Sequence, residues 1–311
     1  MENWNKFVNE KANPGQLDTN MFPIGLSAVD ANQAKTNATS GGEDFDGSSE
    51  DDVIDVNTNG SWAAKDLKPS QTSMNLAKAA WFGLGMLNGT MFDSGGPGGD
   101  IGAFVSSDNY LMDGHHRWLA TAMVAPGTPL NGFAVDFPGK QLVAILNTIT
   151  KGILGVNKGK SGKGNFAQFH DVGAVQQALM AMAQDKSSFK GVAGAMEAGK
   201  ALEVMQTKTG KQGAEAVKAM AEFMVSNVGQ VPGVSDGAVL TKNPRSDMPV
   251  IDDKDGPVQP ASKLAINALT KGQVNVNPPY KKGGQQPQQQ AVQQQKQMRE
   301  EILKVLKNKL K

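Results

Sequence analysis

Residues 113–118 read Asp-Gly-His-His-Arg-Trp, and the predicted fold is built outward from this stretch. Just upstream, the apolar runs at 103–105 and 110–112 flank a polar tetrapeptide, which predicts a β-hairpin. Just downstream, an apolar run from Trp118 to Val124 stops at the sequence Ala-Pro-Gly, which predicts a short helix. The stretch is therefore predicted to form a strand-to-helix turn.

Several features of this turn suit a bound phosphate group. Gly114 permits a sharp change of direction, after which the N–H groups of His115, His116 and Arg117 are predicted to point out of a helix N-terminus. The Arg117 guanidinium can add a bidentate contact. Because adjacent helical residues point about 100° apart, both histidines cannot face one ligand, and we expect His116 beside it. The alternative is a structural corner, in which Asp113 caps the helix and Arg117 pairs with a carboxylate.

The hexapeptide at 113–118 resembles the turn of the ParB/sulfiredoxin superfamily that binds nucleotide phosphate at the start of a helix. Two further segments follow the family's order. Residues 65–71, Lys-Asp-Leu-Lys-Pro-Ser-Gln, resemble the segment that opens the domain, and residues 130–136, Leu-Asn-Gly-Phe-Ala-Val-Asp, resemble the strand after the motif helix. The resemblance covers residues 61–150, about a third of the chain. It implies an α+β domain built on a small mixed sheet.

The chain departs from the resembled proteins at the residues that carry their chemistry. Sulfiredoxins attack with a cysteine in the turn, and this chain has no cysteine. The related free-serine kinases carry a catalytic glutamate after the proline of the opening segment, where this chain has Ser70 and Gln71, neither of which is a general base near neutral pH. The helix-turn-helix DNA reader of chromosome-partitioning ParB proteins has no clear counterpart. What the resemblance still implies is a site for nucleotide or DNA phosphate, with its chemistry open.

The first ten residues carry an amphipathic pattern, because Trp4, Phe7 and Val8 fall on one helical face. They resemble the capsid-targeting peptides of internal head proteins in T-even-type tailed phages, which are cut after a glutamate that matches Glu10. This resemblance implies proteolytic processing at Glu10, phage head proteins as partners, and a place in the host cytoplasm or the phage virion. An ordinary amphipathic N-terminus is the alternative.

Two functions are compatible with these features. The first is a nuclease or nucleotide hydrolase that depends on Mg²⁺ or Mn²⁺, and the second is a non-catalytic virion or head-associated phage protein. For the first, the candidate residues are His116 and Asp113 for catalysis, Gly114, His115, His116 and Arg117 for the phosphate, and Asp113 and Asp100 for the metal ion.

Composition limits the other classes of function. The 311 residues include 31 basic and 30 acidic side chains, for a net charge of +1, so no overall field favours nucleic acid or an acidic membrane. The 36 glycines, 15 prolines and a mean hydropathy of −0.37 predict long stretches outside any core. Without cysteine, disulfides and thiolate metal sites are excluded. No apolar run approaches the roughly 18 residues of a transmembrane helix, so no membrane partner is expected.

The sequence predicts six regions along the chain. A disordered acidic region at 1–60 precedes the ParB/sulfiredoxin-like domain at 61–150, and a Gly/Lys linker at 151–170 leads to a subdomain of short helices at 171–228. A low-complexity linker at 229–296 and a basic amphipathic helix at 297–311 follow. Both terminal regions are expected to be disordered, with the last helix available for self-association. Methionines of the helical subdomain are expected to fill its core.

Two weaker patterns compete with these assignments. Residues 55–66 match the spacing of a twelve-position calcium loop, with oxygen ligands at the first, third and fifth positions and glycine at the sixth. We instead predict a solvated turn for residues 55–66. Residues 155–161 resemble a phosphate-binding P-loop but have three residues between the glycines, where that motif needs four. A basic linker is predicted for that segment.

Overall fold

The computed structural model describes residues 52–89, 99–153, 155, 164–186, 199–240, 248–249, 261–274 and 276, together with Ala12, Leu17 and Phe22. Its strands are β1 (Val56–Ala63), β2 (Lys68–Pro69), β3 (Gly99–Ser106), β4 (Tyr110–Asp113) and β5 (Pro129–Val135). Its α-helices are α1 (Leu76–Leu87), α2 (His115–Val124), α3 (Gly139–Gly152), α4 (Val172–Ala183), α5 (Lys200–Thr209), α6 (Gly213–Val228) and α7 (Ala261–Thr270). Short 3-10 helices lie at Ala64–Asp66, Phe166–His170 and Asp236–Ala238.

The strands form one mixed sheet in the order β1-β5-β3-β4-β2. β1 runs antiparallel to β5, β5 parallel to β3, β3 antiparallel to β4, and β4 parallel to β2. Parallel neighbours need long crossover connections. α1 lies in the connection from β2 to β4, and α2 lies in the connection from β3 to β5. The predicted α+β class with a small mixed sheet is confirmed.

Alternate residues of the central strand face two different hydrophobic cores. In β3, Ala103 and Val105 belong to one core and Phe104 to the other, as the two-residue period of a strand requires. The first core lies under α1, α2 and α4–α6 and contains the fully buried Trp81 and Trp118. The second core lies under α3 and α7. Helices therefore cover both faces of the sheet.

The short helices predicted at 171–228 are present as α4–α6, and they pack into the first core. α4 contacts α1 and α6 contacts α2, where the Asn227 side-chain amide donates a hydrogen bond to the Met123 carbonyl at 2.9 Å. Four methionines of these helices are at most 1% exposed, namely Met182, Met205, Met220 and Met224. For these four, the prediction that methionines fill the core is confirmed.

The structure corrects the prediction of disorder through residue 60. Ala12, Leu17 and Phe22 are buried in the second core, and the Ala12 N–H donates to the Val53 carbonyl at 3.2 Å. β1 begins at Val56, so the boundary predicted after residue 60 falls inside a strand. Isolated apolar residues in a polar stretch find this core because burying one leucine or phenylalanine contributes roughly 1.5–3 kcal/mol.

The solvated turn favoured at 55–66 and its calcium-loop alternative are both wrong. Residues 56–63 form β1, which is paired with β5, and an extended strand cannot curl its oxygen atoms around one ion. The first ten residues with Glu10, most of the basic loop at 155–161 and the amphipathic stretch at 297–311 lie outside the described residues. In the part of the chain that the structure describes, no helix combines the length and apolarity needed to cross a membrane.

The predicted hairpin joins β3 to β4, and the other end of β4 leads into the turn at Gly114. At its tip, Asn109 adopts a left-handed conformation with a φ of 66°. Asp108 Oδ1 accepts hydrogen bonds from the Ser106 hydroxyl at 2.6 Å and from the Gly139 N–H at 2.8 Å. The second bond satisfies a donor in the first turn of α3. The hairpin prediction is confirmed, and its tip is fixed to the helix on the second face.

Candidate functional site

The turn between β4 and α2 carries most of the residues singled out from the sequence. β4 ends at Asp113, and α2 begins at His115. Between them, Gly114 has a φ of 91° and a ψ of 9°, in the left-handed region that costs other L-residues roughly 1–2 kcal/mol. The predicted strand-to-helix turn is confirmed, and glycine is required in it for conformational reasons.

The first turn of α2 presents fewer backbone donors than predicted. The N–H groups of Arg117 and Trp118 both donate to the Gly114 carbonyl, at 3.0 and 2.9 Å. The prediction of an outward Arg117 N–H is therefore wrong, because the helix closes its first turn with a bond between residues three apart.

His115 is 4% exposed and contacts the opening segment. Its Nε2 accepts a hydrogen bond from the Ser70 N–H at 3.2 Å, and the Ser70 Oγ lies 3.3 Å from the same nitrogen. That hydroxyl donates to the Leu111 carbonyl at 2.6 Å. Because Nε2 is an acceptor, the neutral ring carries its proton on Nδ1. Ser70 is fully buried and its proton is directed to a carbonyl, so the pair is not arranged as a serine nucleophile and its base.

His116 joins the first turns of two helices. Its Nε2 accepts a hydrogen bond from the Asn75 N–H at 3.1 Å. Asn75 is the N-cap of α1, and its Oδ1 accepts from the Lys78 N–H at 3.0 Å. Since His116 belongs to the first turn of α2, the N-termini of α1 and α2 lie side by side. The two histidines together attach the connection between β2 and α1 to the candidate turn.

Arg117 pairs with the carboxylate that precedes the turn. Its guanidinium lies 3.6 Å from Asp113 Oδ2, with the two side chains 32% and 18% exposed. The N-cap residue of α2 is Gly114, with no side-chain cap, so the capping role that the structural-corner alternative gave Asp113 is wrong. The pairing of Arg117 with a carboxylate, which the same alternative predicted, is observed. A partly exposed pair of this kind contributes at most about 1 kcal/mol. Arg117 is therefore able to exchange its carboxylate partner for an external anion at low cost.

Asp113 and Asp100, the candidate metal ligands, belong to the neighbouring strands β4 and β3. In the register of β3 and β4, Asp113 pairs with Phe104, while Asp100 pairs with Asn131 of β5. A bulge in β3 lies between Asp100 and Ala103, so the β5 partners of Asp100 and Phe104, Asn131 and Phe133, are only two positions apart. Among the described residues, no group of three His, Asp or Glu side chains is close enough to hold a metal ion.

Gln71 lies in the neighbourhood where the resemblance places a catalytic glutamate. It is 2% exposed, and its Nε2 donates to the Ser73 carbonyl at 3.3 Å and contacts Met74 Sδ at 3.6 Å. Its Oε1 is buried without a hydrogen-bond partner among the described residues. A carboxamide neither gains nor loses a proton near neutral pH, so Gln71 cannot replace that glutamate as a general acid or base.

Residue patterns alone missed the contacts that build this site. Ser70 and Asn75 were not predicted as partners of the histidines, although both belong to or follow the opening segment. Both contacts use backbone N–H groups, which any residue type supplies, so no side-chain pattern marks them. Only the placement of the two segments in a common fold would have indicated the contact.

Replacing the histidines with alanine is expected to have unequal effects on stability. His115→Ala leaves the buried Ser70 N–H without an acceptor, which costs about 2–3 kcal/mol of unfolding free energy. His116 is only half-buried, so water can reach the Asn75 N–H in His116→Ala, and we expect a loss of about 1 kcal/mol or less. Urea unfolding measures the free energy of unfolding of each variant. Equal losses in the two variants would contradict the assigned burial of the two contacts.

Comparisons with known proteins found no match to this chain among protein-family models, curated proteins or solved structures. The similarity to the ParB/sulfiredoxin superfamily therefore stands on the residues at 65–71, 113–118 and 130–136. Of these segments, the first two are in contact through Ser70 and His115.

Proposed function

We propose that this chain binds the phosphate of a nucleotide or nucleic acid at the first turns of α1 and α2, as the resemblance to the ParB/sulfiredoxin superfamily implies. The observation that carries the proposal is the contact of 3.1 Å between His116 Nε2 and the Asn75 N–H, which sets two helix N-termini side by side. Each N-terminus carries about half a positive charge. Two such partial charges lie near each other, and Arg117, in the first turn of α2, adds a full positive charge that is paired with Asp113.

The positive charge at the first turns of α1 and α2 comes from local groups. The chain as a whole has a net charge of +1, so an anion is not attracted by an overall field. Arg117 is one-third exposed and is held by a single carboxylate contact at 3.6 Å. A phosphate group offers a guanidinium shorter, bidentate hydrogen bonds. A phosphate ligand therefore competes with the Asp113 carboxylate for the Arg117 guanidinium.

The histidine geometry supports binding over turnover. A general base needs an available lone pair, and the Nε2 lone pairs of His115 and His116 accept backbone N–H groups. We therefore propose a phosphate-binding protein in which the histidines are not catalytic. This role is compatible with a phage virion or head-associated protein in the host cytoplasm or virion.

The family resemblance also implies an alternative, a hydrolase that uses Mg²⁺ or Mn²⁺ at Asp113. Phage head proteins as partners and self-association through residues 297–311 stay predictions from the sequence.

Arg117→Ala is expected to weaken phosphate binding far more than it weakens the fold. Loss of a charge-assisted contact of 1.5–3 kcal/mol corresponds to about a ten- to hundredfold higher Kd. The ion pair with Asp113 is partly exposed, so the melting temperature without ligand should change little. Thermal shift and calorimetric titration with ATP, GTP and pyrophosphate, with and without Mg²⁺, measure both effects.

The matched control is Lys218→Ala, which removes an exposed cation of α6 that lies 3.9 Å from Glu222. It should leave both phosphate binding and stability unchanged. The proposal fails if no phosphate compound binds the unaltered chain, or if the two variants lose affinity equally. A large drop in melting temperature for Arg117→Ala without any ligand effect would make the turn a structural corner.

A further inference from the structure

The described residues of the two cores come from different parts of the chain. Those of the first core lie between residues 62 and 239. The second core also contains both ends, with Ala12, Leu17 and Phe22 from one and α7 with residues 274 and 276 from the other. We call the segment that carries the first three residues the strap. None of the three lies in a helix or strand, yet each is at most 8% exposed. They are therefore held by burial of their side chains and not by strand pairing.

One peptide group, just before β1 begins, binds both the strap and α7. Its carbonyl, that of Val53, accepts a hydrogen bond from the Ala12 N–H at 3.2 Å. Its N–H, that of Ile54, donates to the Leu269 carbonyl of α7 at 3.0 Å. A peptide group is rigid and planar, so the carbonyl and the N–H cannot be oriented independently. The position that suits the strap is therefore also the position that suits α7.

The preceding residue, Asp52, binds the chain beyond α7. Its Oδ1 accepts a hydrogen bond from the Val276 N–H at 2.9 Å, and the residue is 1% exposed. Residues 52–54 thus contact the strap, the end of α7 and residue 276 in succession. Once one partner has fixed these three residues, the next partner binds them at a smaller cost in conformational entropy. Docking of one end of the chain therefore favours docking of the other.

We propose that the two ends of one chain dock cooperatively, and that the strap holds α7 and residue 276 on the second core. Release of the strap frees the peptide group between Val53 and Ile54 and thereby loosens α7. The first core stays folded, because its described members include no residue of the strap or of α7. The coupling is reciprocal by thermodynamic linkage, so loosening α7 also releases the strap. The inference is independent of the proposed phosphate site, since Leu76 and Trp118 there belong to the first core.

Amide hydrogen exchange, followed residue by residue on the full chain, tests the coupling. Phe22→Ala removes a fully buried side chain of the strap, which lowers the equilibrium constant for docking about ten- to hundredfold. We expect the amides of α7 to exchange about tenfold or more faster in this variant, while those of α6 keep their rates. The matched control is Phe169→Ala, which removes an equally buried phenylalanine from the first core. It should not raise the exchange of α7 relative to that of α6.

The reverse direction is tested with Leu269→Ala, which loosens α7 and should accelerate exchange of the Ala12 amide. Phe22→Leu is a milder change that should accelerate exchange in α7 by a smaller factor, and it decides the question if Phe22→Ala does not fold. The inference is overturned if the strap variants leave α7 unchanged, if α6 accelerates as much as α7, or if Leu269→Ala leaves the Ala12 amide unchanged. Exchange rates that vary with protein concentration would overturn docking within one chain, because they indicate a strap docked on a second copy.

Discussion

Trp118→Ala is expected to lower the free energy of unfolding by about 4–5 kcal/mol. The indole is fully buried in the first core, and its Nε1 donates to the Ala64 carbonyl at 2.8 Å. Truncation of a buried tryptophan leaves a large cavity, and such changes cost about 3–5 kcal/mol. The lost hydrogen bond adds to this, because the Ala64 carbonyl keeps only the longer bond from the Leu67 N–H at 3.4 Å. Urea unfolding followed by circular dichroism measures the loss.

Trp118→Phe separates the two contributions. Phenylalanine keeps most of the buried ring area and removes the N–H donor, so we expect a loss of about 1–2 kcal/mol. This residue attaches α2 to the 3-10 helix at Ala64–Asp66, which overlaps the start of the opening segment at 65–71. A loss below about 1 kcal/mol for Trp118→Ala would contradict the packing of α2 described here.

Gly132→Ala is expected to cost about 3 kcal/mol, the second largest effect. Gly132 lies in β5 opposite Ala103 of the parallel neighbour β3. A Cβ atom at this position would lie 2.4 Å from the Ala103 carbonyl oxygen and 2.7 Å from its nitrogen. Both contacts are with backbone, so relief requires the central strands to separate, and overpacking of this kind costs 1–3 kcal/mol or more.

Gly127→Ala is the matched control for that variant. Gly127 lies in the connection from α2 to β5, and a Cβ atom there would meet nothing within 4 Å. We expect its unfolding free energy to change by less than about 0.5 kcal/mol. If Gly132→Ala were as stable as Gly127→Ala, the register between β3 and β5 would be incorrect.

The elements around the candidate turn could be predicted because strong local signals mark their ends. The polar tetrapeptide after Ala103–Val105 fits only a tight connection between strands, and the observed turn with Asn109 in a left-handed conformation agrees. The Ala-Pro-Gly sequence after Val124 ends α2, since proline cannot continue a helix there. These features depend on a few neighbouring residues, so they can be predicted from a single sequence.

The docking of distant segments could not be predicted from local patterns. Leu17 and Phe22 stand in a polar region whose composition favours disorder, yet both are buried in the second core. Their burial depends on apolar surface supplied by residues more than a hundred positions away, such as Phe137. The calcium pattern failed for a related reason, because ligand spacing carries no information on whether the backbone is extended.

The candidate site was only partly predictable. Gly114 was recognised from the need for a sharp turn, and its positive φ agrees. The acceptor role of each histidine depends on an N–H group 41 or 45 residues upstream, so periodicity does not indicate it.

The convergence of the two helix N-termini on a phosphate is tested most directly by amide chemical shifts. The full chain, labelled with ¹⁵N, is titrated with pyrophosphate, and each backbone N–H is followed separately. We predict saturable shifts that are largest at Leu76, Ala77, His115 and His116, the first-turn residues of α1 and α2. An absence of shifts, or shifts confined to residues outside the first turns of α1 and α2, would contradict the account.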